Sequence, residues 1–182
     1  LDGEPYEADP RGFLKRMAGA LTDHGMVMRC AVENEFSLAT RVDDGFAPID
    51  DSLCFSTVGM TASQEVTDAI VAALEAQSIQ LEQFYVELGH GQQELSIVHL
   101  PVLEAADTQI LVRETIRAVA SSFGLVASLA PKPWPDQAGN GAHVHFSVWD
   151  DTGERNLFHD GGRRYALSET AERFAAGILA HT

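Results

Sequence analysis

The run Gly139-Asn140-Gly141-Ala142-His143-Val144-His145-Phe146-Ser147 limits what this chain can fold into more than any other stretch. Its apolar residues recur at every second position, the period of a strand. Read that way, His143, His145 and Ser147 point to one face, while Val144, Phe146 and Val148 point to the other. One face can pack and the other can bind. Two imidazoles at i and i+2 beside a hydroxyl suit metal or phosphate, and Gly139 and Gly141 just before them predict close approach of a ligand to the backbone. The competing expectation is a polar strand face wetted by solvent.

Such a strand needs a core behind it. The 182 residues, 45% of them hydrophobic, suffice for one, and a single domain over 1–182 is predicted. The formal net charge of -15 argues against nucleic acid or a membrane as partner, because Lys and Arg neutralising phosphate dominates that kind of binding. Metal cations fit such a surface better. Cys30 and Cys54 are too few for a disulfide framework and lack the spacing of a zinc site, so reduced thiols and a cytoplasmic location are expected. No apolar run approaches bilayer-spanning length, and the first residues lack the regions of a signal peptide. The opening on Leu1 in a polar stretch, and the close at His181-Thr182 straight after a helix in progress, suggest part of a larger protein.

Hydrophobic spacing predicts the other elements. Pro10, Phe13, Leu14, Met17 and Leu21 make a helix over 9–22, with Asp9 as N-cap and Gly25 past its end. A strand over 26–38 sets Glu33, Glu35 and Ser37 on one face and Val32, Asn34, Phe36 and Leu38 on the other. A turn follows at Asp43-Asp44-Gly45, then an irregular excursion over 48–60. Val66, Ile70 and Leu74 mark a helix over 61–78. Extended runs over 81–88 and 92–98 flank Gly89-His90-Gly91 as a hairpin, with Tyr85 and Glu87 sharing a face of one arm and Gln92, Glu94 and Ser96 a face of the other. A third helix over 107–122 carries Ile110, Leu111, Ile116 and Val119 as its stripe. After an extended 127–132 and a stiff Pro131–Pro135 loop comes the strand over 142–150. A last helix from Ser168 turns Phe174, Ala175, Ile178 and Leu179 inward.

Five candidate ligands therefore lie on strands: Glu33, Glu35, Glu87, Glu94 and His143. A curved antiparallel sheet backed by helices, an α+β fold, would gather them on one face. Carboxylates at that density repel one another, so about two divalent cations are expected among them. Oxygen ligands with one imidazole favour Mg2+ or Mn2+, whereas zinc would want more nitrogen and sulfur.

The ordered set Val32-Glu33-Asn34-Glu35-Phe36, Glu87-Leu88-Gly89-His90-Gly91-Gln92-Gln93-Glu94, Pro131-Lys132-Pro133 and Gly139 through Ser147 resembles the catalytic domain of glutamine synthetase and its glutamate-amine ligase relatives. Asp151-Thr152-Gly153, Asn156-Leu157-Phe158 and Phe174 through Leu179 with His181 extend the likeness. The resemblance implies a ligase that phosphorylates the γ-carboxylate of glutamate with ATP and lets ammonia or another amine displace the phosphate. It implies that Glu35, Glu87 and Glu94 hold one ion, and that Glu33 and His143 hold a second. It implies nucleotide contacts at Glu82, His145 and Ser147, amino-acid contacts at Asn140 and Gly141, and a homo-oligomer with shared active sites. The family's N-terminal β-grasp domain, its glutamate-clamping arginines and its acidic flap have no counterpart in this sequence. The chain alone is accordingly expected to be inactive, and within it no residue is assigned a catalytic role. The alternatives are a non-catalytic relative that keeps the fold as a scaffold, and, more weakly, a metal-dependent hydrolase, which would use more Asp and His.

Overall fold

Asp9 caps the first helix as its position predicts. In the computed structural model, which describes residues 6–182, its carboxylate accepts hydrogen bonds from the backbone N–H groups of Arg11 and Gly12, and Pro10 opens α1 (Pro10–Thr22). Gly25 adopts φ +70° beyond its end, the left-handed conformation open to glycine.

The strand that follows, β1 (Met26–Val42), is the spine of the sheet. It runs four residues past the predicted end and turns at Asp43-Asp44, where a turn was expected, into β2 (Gly45–Pro48), a strand that the spacing did not indicate; 49–56 is irregular as expected, and a helix then takes over the end of the predicted excursion. β2 is too short to show a period, and Gly45 at φ +139° carries the turn. β3 (Leu81–Val86) and β4 (Gln92–Ile97) form the predicted hairpin, and the path of the sheet is β2-β1-β4-β3. β5 (Leu100–Pro101), β6 (Val126–Ser128) and β7 (Ala142–Asp150) each pair with β1. The result is a curved antiparallel sheet of seven strands among the described residues.

α2 (Thr57–Ala76) starts four residues earlier than the spacing indicates. Ser56 Oγ accepts from the N–H of Val58, and Gly59 is buried where an added Cβ would strike Ser52 Oγ, so tertiary packing fixes a turn whose residues are poor helix formers. Its predicted stripe of Val66, Ile70 and Leu74 is buried. α3 (Val102–Ser122) starts five residues early, and its inward face differs from the expected one. Ala105, Thr108, Val112, Ile116 and Ala120 are buried, while Ile110 and Leu111 are 58% and 49% exposed. Of the expected stripe Ile116 is buried as predicted, and Ala105, Thr108, Val112 and Ala120 complete the inner face in place of Ile110 and Leu111.

The described residues divide into two compact units. The larger comprises Ala31–His99 and Asp107–Val144, with Phe36, Leu38, Leu95, Ile70, Leu74, Val112 and Ile116 as its core. The smaller comprises the described residues before Ala31, Leu100–Ala106 and His145–Thr182. In it α4 (Glu169–Ala180) begins where predicted, with Ser168 Oγ accepting from the N–H of Ala171. Phe174 sits between Phe146 and Phe158, at centroid distances of 5.7 and 5.2 Å. Ala175, Ile178 and Leu179 are exposed, against expectation, so this helix packs only through its first half, at Ala171 and Phe174. Among the described residues no helix is long and apolar enough to cross a membrane.

Candidate functional site

In the larger unit, register alone assembles an acidic row. β1 and β4 pair antiparallel with Glu35 opposite Glu94, Glu33 opposite Ser96 and Ser37 opposite Gln92, and β3 places Tyr85 opposite Glu94. Opposed residues share a face of a sheet, so Glu35, Glu94 and Tyr85 line up across three strands. Glu87 stands two residues beyond Tyr85, and its N–H donates to the Gln92 carbonyl at 2.9 Å.

Two carboxylates facing each other destabilise a sheet unless something answers the charge. Glu94 is 3% exposed, and burial pushes its carboxyl above the usual range. The Tyr85 hydroxyl, donating to Glu94 Oε1 at 2.5 Å, pulls it back down, and the charges of Glu33, Glu87 and Glu35 push it up again. Burial, with the same hydrogen bond and the neighbouring carboxylates, raises the Tyr85 phenol in turn. The four carboxylates therefore share one electrostatic neighbourhood.

Each of the four is held by a donor of the protein. Glu94 has Tyr85, Glu35 Oε2 accepts from Gln92 Nε2 at 2.8 Å, and Glu87 Oε2 accepts from the N–H of Leu88 at 2.7 Å. Glu33 Oε2 lies 3.0 Å from His143 Nδ1, which also stands 3.8 Å from Glu35 Oε1. As the side chains stand, no three His, Cys, Asp or Glu among the described residues close on a common point that would wrap an ion. The donor set nevertheless fits a hard divalent cation. It offers carboxylate oxygens with a single imidazole, and a positive charge would relieve the crowding recorded at Glu94.

The loop before β7 is built into this site from below. Gly141 accepts from the N–H of Glu35 at 3.2 Å, and Asn140 Nδ2 donates to the carbonyls of Ser128 and Ala130. Protein atoms come close to both glycines. A Cβ on Gly139 would collide with the Pro131 carbonyl, and one on Gly141 would lie 3.0 Å from Glu35 Oε1. Protein atoms already occupy the space that glycine leaves. Glu35, Asn140, Gly141, Gln109 and Arg113 help to line a cavity of about 310 Å³. Gln109 Oε1 there is buried without a hydrogen-bond partner, and a lining that sets a carboxylate against a guanidinium suits a small zwitterion.

The other predicted site residues stand on β3 and β7. Glu82 is exposed at the irregularity between Leu81 and Gln83, where the register of β3 shifts. His145 and Ser147 belong to the smaller unit, where His145 is exposed and Ser147 Oγ accepts from Trp149 Nε1 at 2.9 Å. Of the apolar face expected of β7, Val148 alone is buried among Val144, Phe146 and Val148. Val144 and Phe146 are 47% and 40% exposed, so the alternation marks the strand without marking a buried side. Two residues acquire a part that spacing did not give them. Tyr85 and Gln92 hold Glu94 and Glu35, and the available signal was their place on the hairpin faces beside the acids.

The sequence matches a family model described as glutamine synthetase, catalytic domain, over residues 7–182. It is 38% identical to the gamma-glutamylpolyamine synthetase GlnA3 of Streptomyces coelicolor, over 99% of this chain and 39% of that protein. It is 32% identical to the glutamate–methylamine ligase of Methyloversatilis universalis, over 98% of this chain and 42% of that protein. A crystal structure described as a novel glutamine synthase homolog superposes with a TM-score of 0.90 at 34% identity, covering 99% of this chain and 41% of its own. The chain thus spans about two fifths of the length of the relatives it matches.

Proposed function

This chain belongs to the glutamine synthetase catalytic-domain family, and from that premise we propose that the protein carrying it joins ammonia or another amine to the γ-carboxylate of glutamate at the expense of ATP. The observation that carries the reading is the opposed pair Glu35 and Glu94, with Glu33 and Glu87 near enough to raise Glu94. A scaffold has no need to crowd and bury acids in this way.

In this reading Glu35, Glu87 and Glu94 hold one divalent cation, Mg2+ or Mn2+, and Glu33 with His143 hold another. Bound there, the cations would neutralise the phosphoryl oxygens of ATP and keep the γ-carboxylate of glutamate in line with the phosphorus. Tyr85 and Gln92 keep their carboxylates aimed before a cation arrives, which lowers the cost of ordering them. Asn140 and Gly141 border the cavity where the amino acid would sit, with Arg113 available to its carboxylate and Glu35 and the unpaired Gln109 Oε1 to its ammonium. Glu82, His145 and Ser147 are assigned to the nucleotide. The acyl phosphate that forms is open to attack by the amine, and the protein's part is position and electrostatics.

Calorimetric titration with Mn2+ tests the assignment. Binding that Glu94→Ala abolishes and His143→Ala leaves largely intact supports the ion held by Glu35, Glu87 and Glu94. Absence of binding in the full-length protein would return the fold to the role of a scaffold.

A further inference from the structure

Gln92 is 2% exposed and sits between the acidic row and the loop before β7. Its Oε1 accepts from the N–H of Gly89 at 2.7 Å, which fixes which end of the amide is nitrogen. Its Nε2 then meets three acceptors: Glu35 Oε2 at 2.8 Å, the Gly139 carbonyl at 3.0 Å and Asn140 Oδ1 at 3.1 Å. An amide nitrogen has two hydrogens. One acceptor must always go short, and the carboxylate, being charged, claims a hydrogen first.

Asn140 is the acceptor that can share. Its Nδ2 is committed to the carbonyls of Ser128 and Ala130, which fixes its own orientation, and its Oδ1 also accepts from Ser37 Oγ at 3.2 Å. The carbonyl of Gly139 and the side chain of Asn140 thus compete with Glu35 for the hydrogens of one buried amide.

We propose that Gln92 is a positioning residue that couples cation binding at Glu35 to the order of the Gly139–Gly141 loop. A cation on Glu35 competes for the lone pairs that now take a Gln92 hydrogen. The released hydrogen passes to Gly139 and Asn140 and fixes the loop that borders the amino-acid cavity. Cation and amino acid then bind with positive cooperativity, in either order, because coupling of this kind is reciprocal. The proposal rests on the assignment of Glu35 to a cation and of the cavity to glutamate.

Calorimetry on the full-length protein measures the coupling directly. The Kd of L-glutamate is determined without Mg2+ and at saturating Mg2+, in the parent protein, in Gln92→Met and in Ser37→Ala. The expected gain on adding Mg2+ is about fivefold beyond any direct attraction, the worth of one net hydrogen bond. Gln92→Met loses that increment. Ser37→Ala enlarges it, because Asn140 Oδ1 then depends on Gln92 alone. A general loosening of the fold would not move two neighbouring variants in opposite directions, and Ser37→Ala decides the matter alone should Gln92→Met fail to fold. Equal coupling in all three proteins overturns the role of Gln92 while leaving the ligase reading intact. No binding of Mg2+ or glutamate in the parent protein overturns both.

Discussion

β4 and β7 both carry alternating polar and apolar residues, yet their surroundings are opposite. All six residues of β4 are buried, whereas the first five of β7 are exposed. On β4, Gln93, Leu95 and Ile97 pack on one side, while Gln92, Glu94 and Ser96 turn to the acidic row on the other. On β7, His143 has a side chain 66% exposed and reaches Glu33 from the solvent side. The same pattern therefore produces two kinds of ligand. Glu94 is buried and held by a hydrogen bond from Tyr85, and His143 is open to solvent.

The largest expected effect is on stability. Phe36, on β1 and 0% exposed, is part of the core behind the row, so Phe36→Ala should cost about 3–5 kcal/mol, while Val144→Ala on β7 should cost about 0.5 kcal/mol or less. Urea denaturation of the two variants reads the difference directly. Comparable losses would mean that β7 is as firmly packed as the core behind the row, and the contrast would fail.

Next comes the hydrogen bond under Glu94. Tyr85→Phe keeps the ring and removes the donor, and a lost ligand-orienting bond typically weakens a metal site about 10- to 100-fold. Mn2+ affinity in that variant should drop by such a factor, and by less in His143→Ala. A variant that binds Mn2+ as well as the parent would show that burial alone orients Glu94.

The pH dependence of stability sharpens the same point. Glu94 has a raised pKa in the folded protein, so between the ordinary carboxylate range and that raised value the folded state holds a proton that the unfolded chain has released. Its contribution is present at acid pH and is lost as pH rises through that window. Glu94→Gln should flatten this decline in urea midpoints taken across pH. Parallel profiles in the two proteins would place the decline elsewhere. In the same window a cation must displace the proton, so Mn2+ affinity should rise with pH.

The smallest effect is expected at fully exposed charge. Arg173 and Glu169 form an i,i+4 pair on α4, with side chains 79% and 61% exposed, and Arg173→Ala should cost about 0.3–0.5 kcal/mol in thermal or urea unfolding. A much larger loss would reveal a contact of α4 that exposure conceals.

Much of the fold is legible in local chemistry. The Asp9 cap, Pro10 and Gly25 bound α1, Ser168 starts α4, and the Gly89–Gly91 turn joins the hairpin where it was expected. These signals involve residues a few positions apart, which is why they survive without the rest of the molecule. The inward face of α3 was not legible, because Ile110 and Leu111 suit a core as well as Val112 and Ile116 do, and only the sheet beneath decides which stripe it meets. The start of α2 was not legible for a related reason, since packing at Gly59 overrides weak local preference.

The sequence by itself determined which residue types are available, on which strands, and on which face of each: Glu33 and Glu35 on one pleat, Glu94 and Gln92 on another, Tyr85 and Glu87 on a third. Only the tertiary structure decided that Glu35 faces Glu94, that Glu94 faces Tyr85, and that Gln92 is shared between Glu35 and Asn140. Periodicity within one strand sets the direction of a side chain, but register between strands sets its neighbour. The hydrogen bonds of Gln92 that follow from this placement join residues 57 and 48 positions apart along the chain, a distance over which local preference carries no information.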